Sequence, residues 1–192
     1  MTDLISLAGS TLGLGLGAGI NAYATFLVFG LISRFFPEMF PGDMAHFFSS
    51  TPVLIVVGVL YVVEFVADKI PAVDHAWDVV HTFVRPLAGA VIAFSAASPH
   101  FPKGVAVLAA AIGGSAALTS HLAKASLRVA STSTTGGLAS PVISLLEDGY
   151  AVAQSLLAIF VPFVFLILAL LFLIPAAFFV ARFRRRRASG PA

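Results

Sequence analysis

The residues able to do chemistry in this chain are charged and polar side chains set at helical spacing inside apolar runs. In YVVEFVADKIP, Tyr61, Glu64 and Asp68 fall at i, i+3 and i+7, on one helical face. A carboxylate at membrane depth is costly and usually faces the protein interior or water. Apolar residues flank Glu64 on both sides, which makes it the more telling of the two. Asp68, beside Lys69 and Pro71, is expected at the membrane interface. In TSHLAKASLR, His121, Lys124 and Arg128 share a second face. Their charge can pair with the carboxylates, snorkel to the lipid headgroups, or bind a phosphate or carboxylate substrate through the bidentate guanidinium fork. In SPVISLLEDGYAVAQ, Ser144, Glu147, Tyr150 and Gln154 form a stripe with Asp148 beside it. Two adjacent carboxylates in an apolar run should not both stay ionised without partners, so this pair is a candidate proton carrier.

Two further stretches invite a sharper chemistry. In AVDHAWDVVHTFVRP, Asp74, Asp78 and His81 stand at i, i+4 and i+7, with His75 one face over. Carboxylate oxygens and imidazole together suit a divalent metal such as Mn, Zn or Fe, although no HExxH or comparable motif is present. An amphipathic interfacial helix anchored by Trp77 explains the same residues, as does a proton path. In GLGLGAGINAY, glycines four apart allow another helix to approach closely. The alternative is an unwound stretch at Gly17–Asn21, where freed backbone groups and the Asn21 amide line a cavity. Its likeness to a dinucleotide-binding run is superficial, because no strand precedes it. The loop STSTTGGLASP (131–141) reads as a flexible connector, or as a backbone donor surface for an anion at Gly136-Gly137. No Ser/His/Asp order, phosphate loop, haem motif or zinc-peptidase motif occurs. The absence of cysteine excludes disulfides, thiolate metal sites and cysteine nucleophiles.

The elements that must position these residues are apolar. The 192-residue chain is 59% hydrophobic and only 10% charged, against roughly 25% charged in an ordinary soluble domain. Its mean hydropathy is +1.00. Such a chain cannot cover a soluble surface, and it suits a single integral membrane domain. The net charge of +2 does not indicate a nucleic-acid binder, because five of the 11 basic residues are Arg182 and Arg184 to Arg187. Six apolar segments can be drawn, near 5–36, 52–68, 86–99, 104–130, 141–160 and 162–183, and the last two could instead be one long kinked element. The first residues, MTDLISLAG, lack a basic region, so the first segment is expected to stay as a span and not act as a signal peptide. The expected architecture is an all-α polytopic transmembrane bundle of about six spans over residues 1–192, with 184–192 a cytoplasmic basic tail. With both termini inside, Lys69, Arg85, Lys124, Arg128 and the arginine tail face the cytoplasm, and Arg34 and Lys103 lie outside.

The two halves show faint self-similarity. At an offset of 94, Gly19/Gly113, Ala22/Ala116, Thr25/Thr119 and Arg34/Arg128 coincide. At an offset of 89, Pro52/Pro141, Tyr61/Tyr150 and Pro86/Pro175 do. If this is a duplication, units 1–99 and 100–183 each hold three segments, and an odd number makes them inverted repeats. Two unrelated halves of shared composition remain the alternative.

At EFVADKIPAVDHAWDVVHTFVRPLAG (64–89) the sequence resembles the DUF4126 family of small bacterial membrane proteins. The opening GLGLGAGINAY (13–23) and the pattern HLAKASLR…SPVISLLED (121–148) support the resemblance, which extends over nearly the whole chain. It implies a polytopic inner-membrane protein and carries no assigned activity or catalytic residue.

The functional expectation is therefore a small transporter or channel-like protein. Asn21, Glu64, Asp68, Glu147 and Asp148 would form a central site facing His121, Lys124 and Arg128, for a small anion or cation. A non-transporting scaffold or assembly factor is the second reading, with the charges acting as paired glue. A metal-dependent enzyme acting on lipids through Asp74, Asp78 and His81 is the third. No cofactor is expected unless that metal is real. The expected partners are the lipid bilayer and, for a chain of 20.0 kDa, further copies of itself, with no nucleic acid.

Overall fold

The computed structural model describes residues 3–168 and 170–171, without the side chains of residues 71, 72, 74 and 75. Among the described residues the helices run, in order, α1 Leu4–Ile20, α2 Ala22–Phe35, α3 Asp43–Phe48, α4 Thr51–Ala67, α5 Pro71–Ala97, α6 Lys103–Thr135 and α7 Ser140–Phe160, with further helix after 161. A 3-10 turn, Pro37–Met39, sits between α2 and α3, and no strand occurs among the described residues.

Helix boundaries follow local chemistry. The Asp3 side chain caps α1 by accepting from the Ser6 N–H at 2.8 Å. That bond holds its exposed carboxyl below the usual range. Prolines open α4, α5 and α7 within their first two positions, where the missing N–H costs nothing. Gly136, at φ 63°, ends α6 in the left-handed conformation that favours glycine.

Helix α1 is central and packs against α5, α6 and α7, while α5 and α6 form the most extensive pair. Small residues permit these approaches. A Cβ on Gly15 would lie 2.5 Å from the Gly113 carbonyl oxygen of α6, and one on Gly19 would lie 2.1 Å from that of Ala117. The close-packing expectation for the glycine-rich opening therefore holds. Leu14, Ala18, Phe29, Ile92 and Ala117 belong to the main apolar core. On the outside, α4 presents Ile55, Val59, Val62 and Val66, and α6 and α7 present Leu108, Leu127, Leu145 and Leu146.

Among the described residues, three helical stretches are long and apolar enough to cross a membrane: Ala76–Ala97, Lys103–Thr135 and Ser140–Phe160. Helices α1, α2 and α4 are apolar but shorter. Several segments differ from the sequence expectation. The first breaks at Asn21 into two helices, because the Asn21 side chain starts a new one. The third is the second half of the 27-residue α5, which runs through Pro86 and takes in the stretch for which an interfacial helix is one reading of the sequence. Helix α7 stops at Phe160, Val161 is non-helical, and helix resumes at 162. The rest of the sixth segment and the arginine tail lie outside the described residues.

Candidate functional site: a buried ion-pair network at a broken helix

The break between α1 and α2 is one residue wide, and Asn21 organises both ends. Its backbone is extended, at φ −145° and ψ 104°. Its Oδ1 accepts from the Ala24 N–H at 2.8 Å, capping α2. Its Nδ2 donates to Asp148 Oδ1 of α7 at 2.8 Å. The end of α1 leaves carbonyls without helical partners and carries the negative end of the helix dipole. Side chains from two other helices meet them. Lys124 Nζ donates to the Ile20 carbonyl at 3.0 Å, and Arg85 Nη1 donates to that of Gly19 at 3.3 Å. One turn earlier, Ser120 Oγ donates to the Leu16 carbonyl at 2.8 Å.

From these two cations the network spreads into two clusters. In the first, Arg85 Nη2 donates to Glu64 Oε1 at 2.8 Å, and both side chains are fully buried. Arg85 Nη1 also donates to His121 Nδ1 at 2.8 Å and stands 3.5 Å from Asp78 Oδ1. A guanidinium can only donate, so His121 Nδ1 accepts and the ring proton sits on Nε2. That proton faces Thr82 Oγ1 at 3.0 Å, and Thr82 donates in turn to the Asp78 carbonyl. His81 Nδ1 donates to the Trp77 carbonyl, which leaves Nε2 3.7 Å from Glu64 Oε1 and without a hydrogen bond.

In the second cluster, Asp68 Oδ2 takes Lys124 Nζ at 3.0 Å and Arg128 Nη2 at 3.1 Å. Arg128 also donates from Nε and Nη2 to Glu147 Oε2, and Lys124 Nζ stands 3.5 Å from that oxygen. Asp148 stands apart from both clusters. It is 4% exposed, and among the described residues Asn21 is its only hydrogen-bond partner and its Oδ2 has none. Ser144, one turn before it on α7, is also buried with an unpartnered hydroxyl.

The eight expected site residues Asn21, Glu64, Asp68, His121, Lys124, Arg128, Glu147 and Asp148 thus fall on one connected region, in which Asp68 and Glu147 meet the basic face of α6, Glu64 pairs with Arg85 of α5 and Asp148 bonds Asn21. Asp68 is 1% exposed and faces inward, where Lys124 and Arg128 pair with it. The inward face of α7 carries Ser144, Asp148 and Ser155, while Tyr150 turns outward. Of the metal trio, Asp78 and His81 join the Arg85 cluster and the Asp74 side chain lies outside the described residues. Among the described residues no three His, Asp or Glu side chains gather as metal ligands. Arg85 was missed as a site residue, although it links Glu64, Asp78 and His121. Its spacing, i+4 from His81 and i+7 from Asp78, was the available signal.

Between α6 and α7 lies a cavity of about 360 Å3. Leu127, Ile143 and Leu146 wall it, and Lys124 and Glu147 bring the second cluster to its lining.

Apolar helices closed over a buried charged network are the build of an integral membrane protein. The chain belongs to the DUF4126 family, described as a domain of unknown function, whose model matches residues 8–182. No curated protein and no solved structure matches the chain.

Proposed function

We propose that the chain is a small inner-membrane transporter or channel-like protein whose site is the network at the α1–α2 break. The observation that carries this reading is the charge count around Asn21. Five carboxylates, Glu64, Asp68, Asp78, Glu147 and Asp148, share the region with four obligate cations, Arg85, Lys124, Arg128 and the part-buried Lys69. A structural network gains most when every buried charge is paired, whereas this one keeps Asp148 without a cation contact among the described residues. Discontinuous helices with polar ends at such a cluster are a recurring transport-site design. Asp148, with a free oxygen, is where a coupling proton or cation would exchange, and the α6–α7 cavity gives Glu147 and Lys124 a route outward.

Six crossings in two inverted units, with the C-terminus cytoplasmic, complete the reading. Pro52 and Pro141 each occupy the second position of their helices, α4 and α7, which supports the equivalence of those two segments. The second reading, a scaffold held by paired charges, draws on the ion pairs of Asp68 and Glu147 with Lys124 and Arg128, in which Asp68 uses Oδ2 while its Oδ1 has no hydrogen bond among the described residues.

The test is flux into liposomes containing the purified protein, over a panel of inorganic ions and small carboxylates, with and without a pH gradient. Transport predicts a flux that Asp148→Asn abolishes and that Glu64→Gln and Glu147→Gln reduce. Absence of flux over the panel from protein that is folded, or a flux that all three variants leave unchanged, would sink the central-site idea.

A further inference from the structure

At the far end of α2 from Asn21, a second polar site lies outside the network described above. Helix α2 ends at Phe35, the chain turns through Pro37–Met39 and α3, and α4 begins at Thr51. Two adjoining cavities, of about 370 and 320 Å3, fill this corner and share Ser33, His46 and Ser49. The larger is also lined by Arg34, Ser50 and Thr51 and contains no acidic residue, whereas Asp43 lines the smaller.

Four features of the larger cavity converge on one chemistry. Arg34 uses only Nη1 in its contacts, donating to Thr51 Oγ1 at 2.9 Å and to the Ser49 carbonyl at 3.5 Å. Its Nη2 and Nε make no hydrogen bond and no carboxylate pairs with it among the described residues, so the flat edge that binds an oxyanion bidentately is free. Ser33 is 4% exposed, yet its hydroxyl has no hydrogen-bond partner although it lines both cavities. A buried hydroxyl left unmade is costly unless something occupies the space it faces. The 17-residue α4 begins at the same wall, with Ser50 as N-cap and no side chain capping it. Pro52 has no N–H and the Leu54 N–H bonds to the Ser50 carbonyl, so the positive end of the α4 dipole offers an anion the N–H groups of Thr51 and Val53. The His46 ring adds a polar group from α3.

We propose that this corner binds a phosphate-type oxyanion, held by the Arg34 fork, the Ser33 hydroxyl and the uncapped start of α4. The anion is either free phosphate or the headgroup of an anionic phospholipid, and the same donors serve both. This site is independent of the transport reading.

The test uses the full chain in phosphatidylcholine nanodiscs, titrated calorimetrically with inorganic phosphate. In parallel, native mass spectrometry follows retention of phosphatidylglycerol by the detergent-purified protein. Saturable binding of phosphate identifies the free anion, and saturable retention of phosphatidylglycerol alone identifies the headgroup. Either result supports the site if Arg34→Gln weakens it by about tenfold or more and Arg34→Lys, which keeps the charge but loses the fork, falls between. Ser33→Ala, a smaller change expected to weaken binding severalfold, takes over the comparison if Arg34→Gln does not fold. Binding of neither probe, or binding that the folded variants leave undiminished, overturns the proposal.

Discussion

Arg85 is the residue on which the first cluster turns, since it alone connects Glu64, Asp78, His121 and the end of α1. Removing one partner of a buried ion pair leaves the other charge without compensation, at a cost of about 3–5 kcal/mol. Arg85→Met is therefore expected to destabilise the protein by that amount in denaturant unfolding in mild detergent. Adding Glu64→Gln should recover part of the loss, and a double variant as unstable as the single one would refute the pairing. Glu147, whose side chain is 16% exposed, shares Arg128 and Lys124 with Asp68, so Glu147→Gln leaves both cations a carboxylate and should cost less, about 1–3 kcal/mol. The sequence made Glu64 and the α6 basic face legible because each stands out against an apolar run. Arg85 was harder to read. Next to Pro86 it resembles a boundary residue, and nothing in the sequence says that α5 continues through that proline. The partners of Asp68 were not legible either, since Lys124 and Arg128 reach it from α6, 56 and 60 residues further along the chain.

At the level of elements, glycine spacing in α1 predicted close packing, and the structure adds which helix each face meets. Gly19→Ala would force a methyl to within 2.1 Å of the Ala117 carbonyl oxygen, so α1 or α6 must move. Overpacking of this kind costs about 1–3 kcal/mol. Gly58 in α4 has nothing within 4 Å of an added Cβ, and Gly58→Ala is expected to be neutral or stabilising by about 0.5–1 kcal/mol. Thermal unfolding of the pair checks both, and equal effects would contradict the packing described here. The Asn21 break offers a second contrast. Asn21→Ser keeps a capping oxygen for α2, whereas Asn21→Leu removes both the cap and the Asp148 contact. The leucine variant should be less stable than the serine variant by about 1 kcal/mol or more. The break itself was foreseen only as an alternative, because an apolar run of this length reads equally well as one continuous helix.

For the whole molecule, composition indicated a membrane protein, and the outward faces of α4, α6 and α7 are where lipid should lie. Because the chain has no native cysteine, single substitutions Val59→Cys, Leu108→Cys and Leu145→Cys can each carry a nitroxide without competing labels. Their relaxation in liposomes should respond strongly to oxygen, which concentrates in hydrocarbon, and weakly to a water-soluble nickel complex. The reverse pattern at all three would deny these faces to lipid. How many times the chain crosses was less legible, since α1, α2 and α4 are apolar yet shorter than a full span, and hydropathy alone does not distinguish half-helices from whole ones.

The end of α1 has a consequence for the order in which the protein is made. Its last carbonyls are met by Arg85 and Lys124, and Lys124 is synthesised 104 residues after Ile20. At ribosomal rates of ~5–20 residues per second, the N-terminal helices wait on the order of 5–20 s for that cation. Throughout that interval a nascent chain carries an open polar end, which must be sheltered by the insertion machinery or left to water. Ribosome-arrested chains stopped before α6 should therefore cross-link to insertion factors through α1, and chains that include Lys124 should release them. Persistent cross-links after Lys124 has emerged would mean that the α6 cation does not close the site during synthesis.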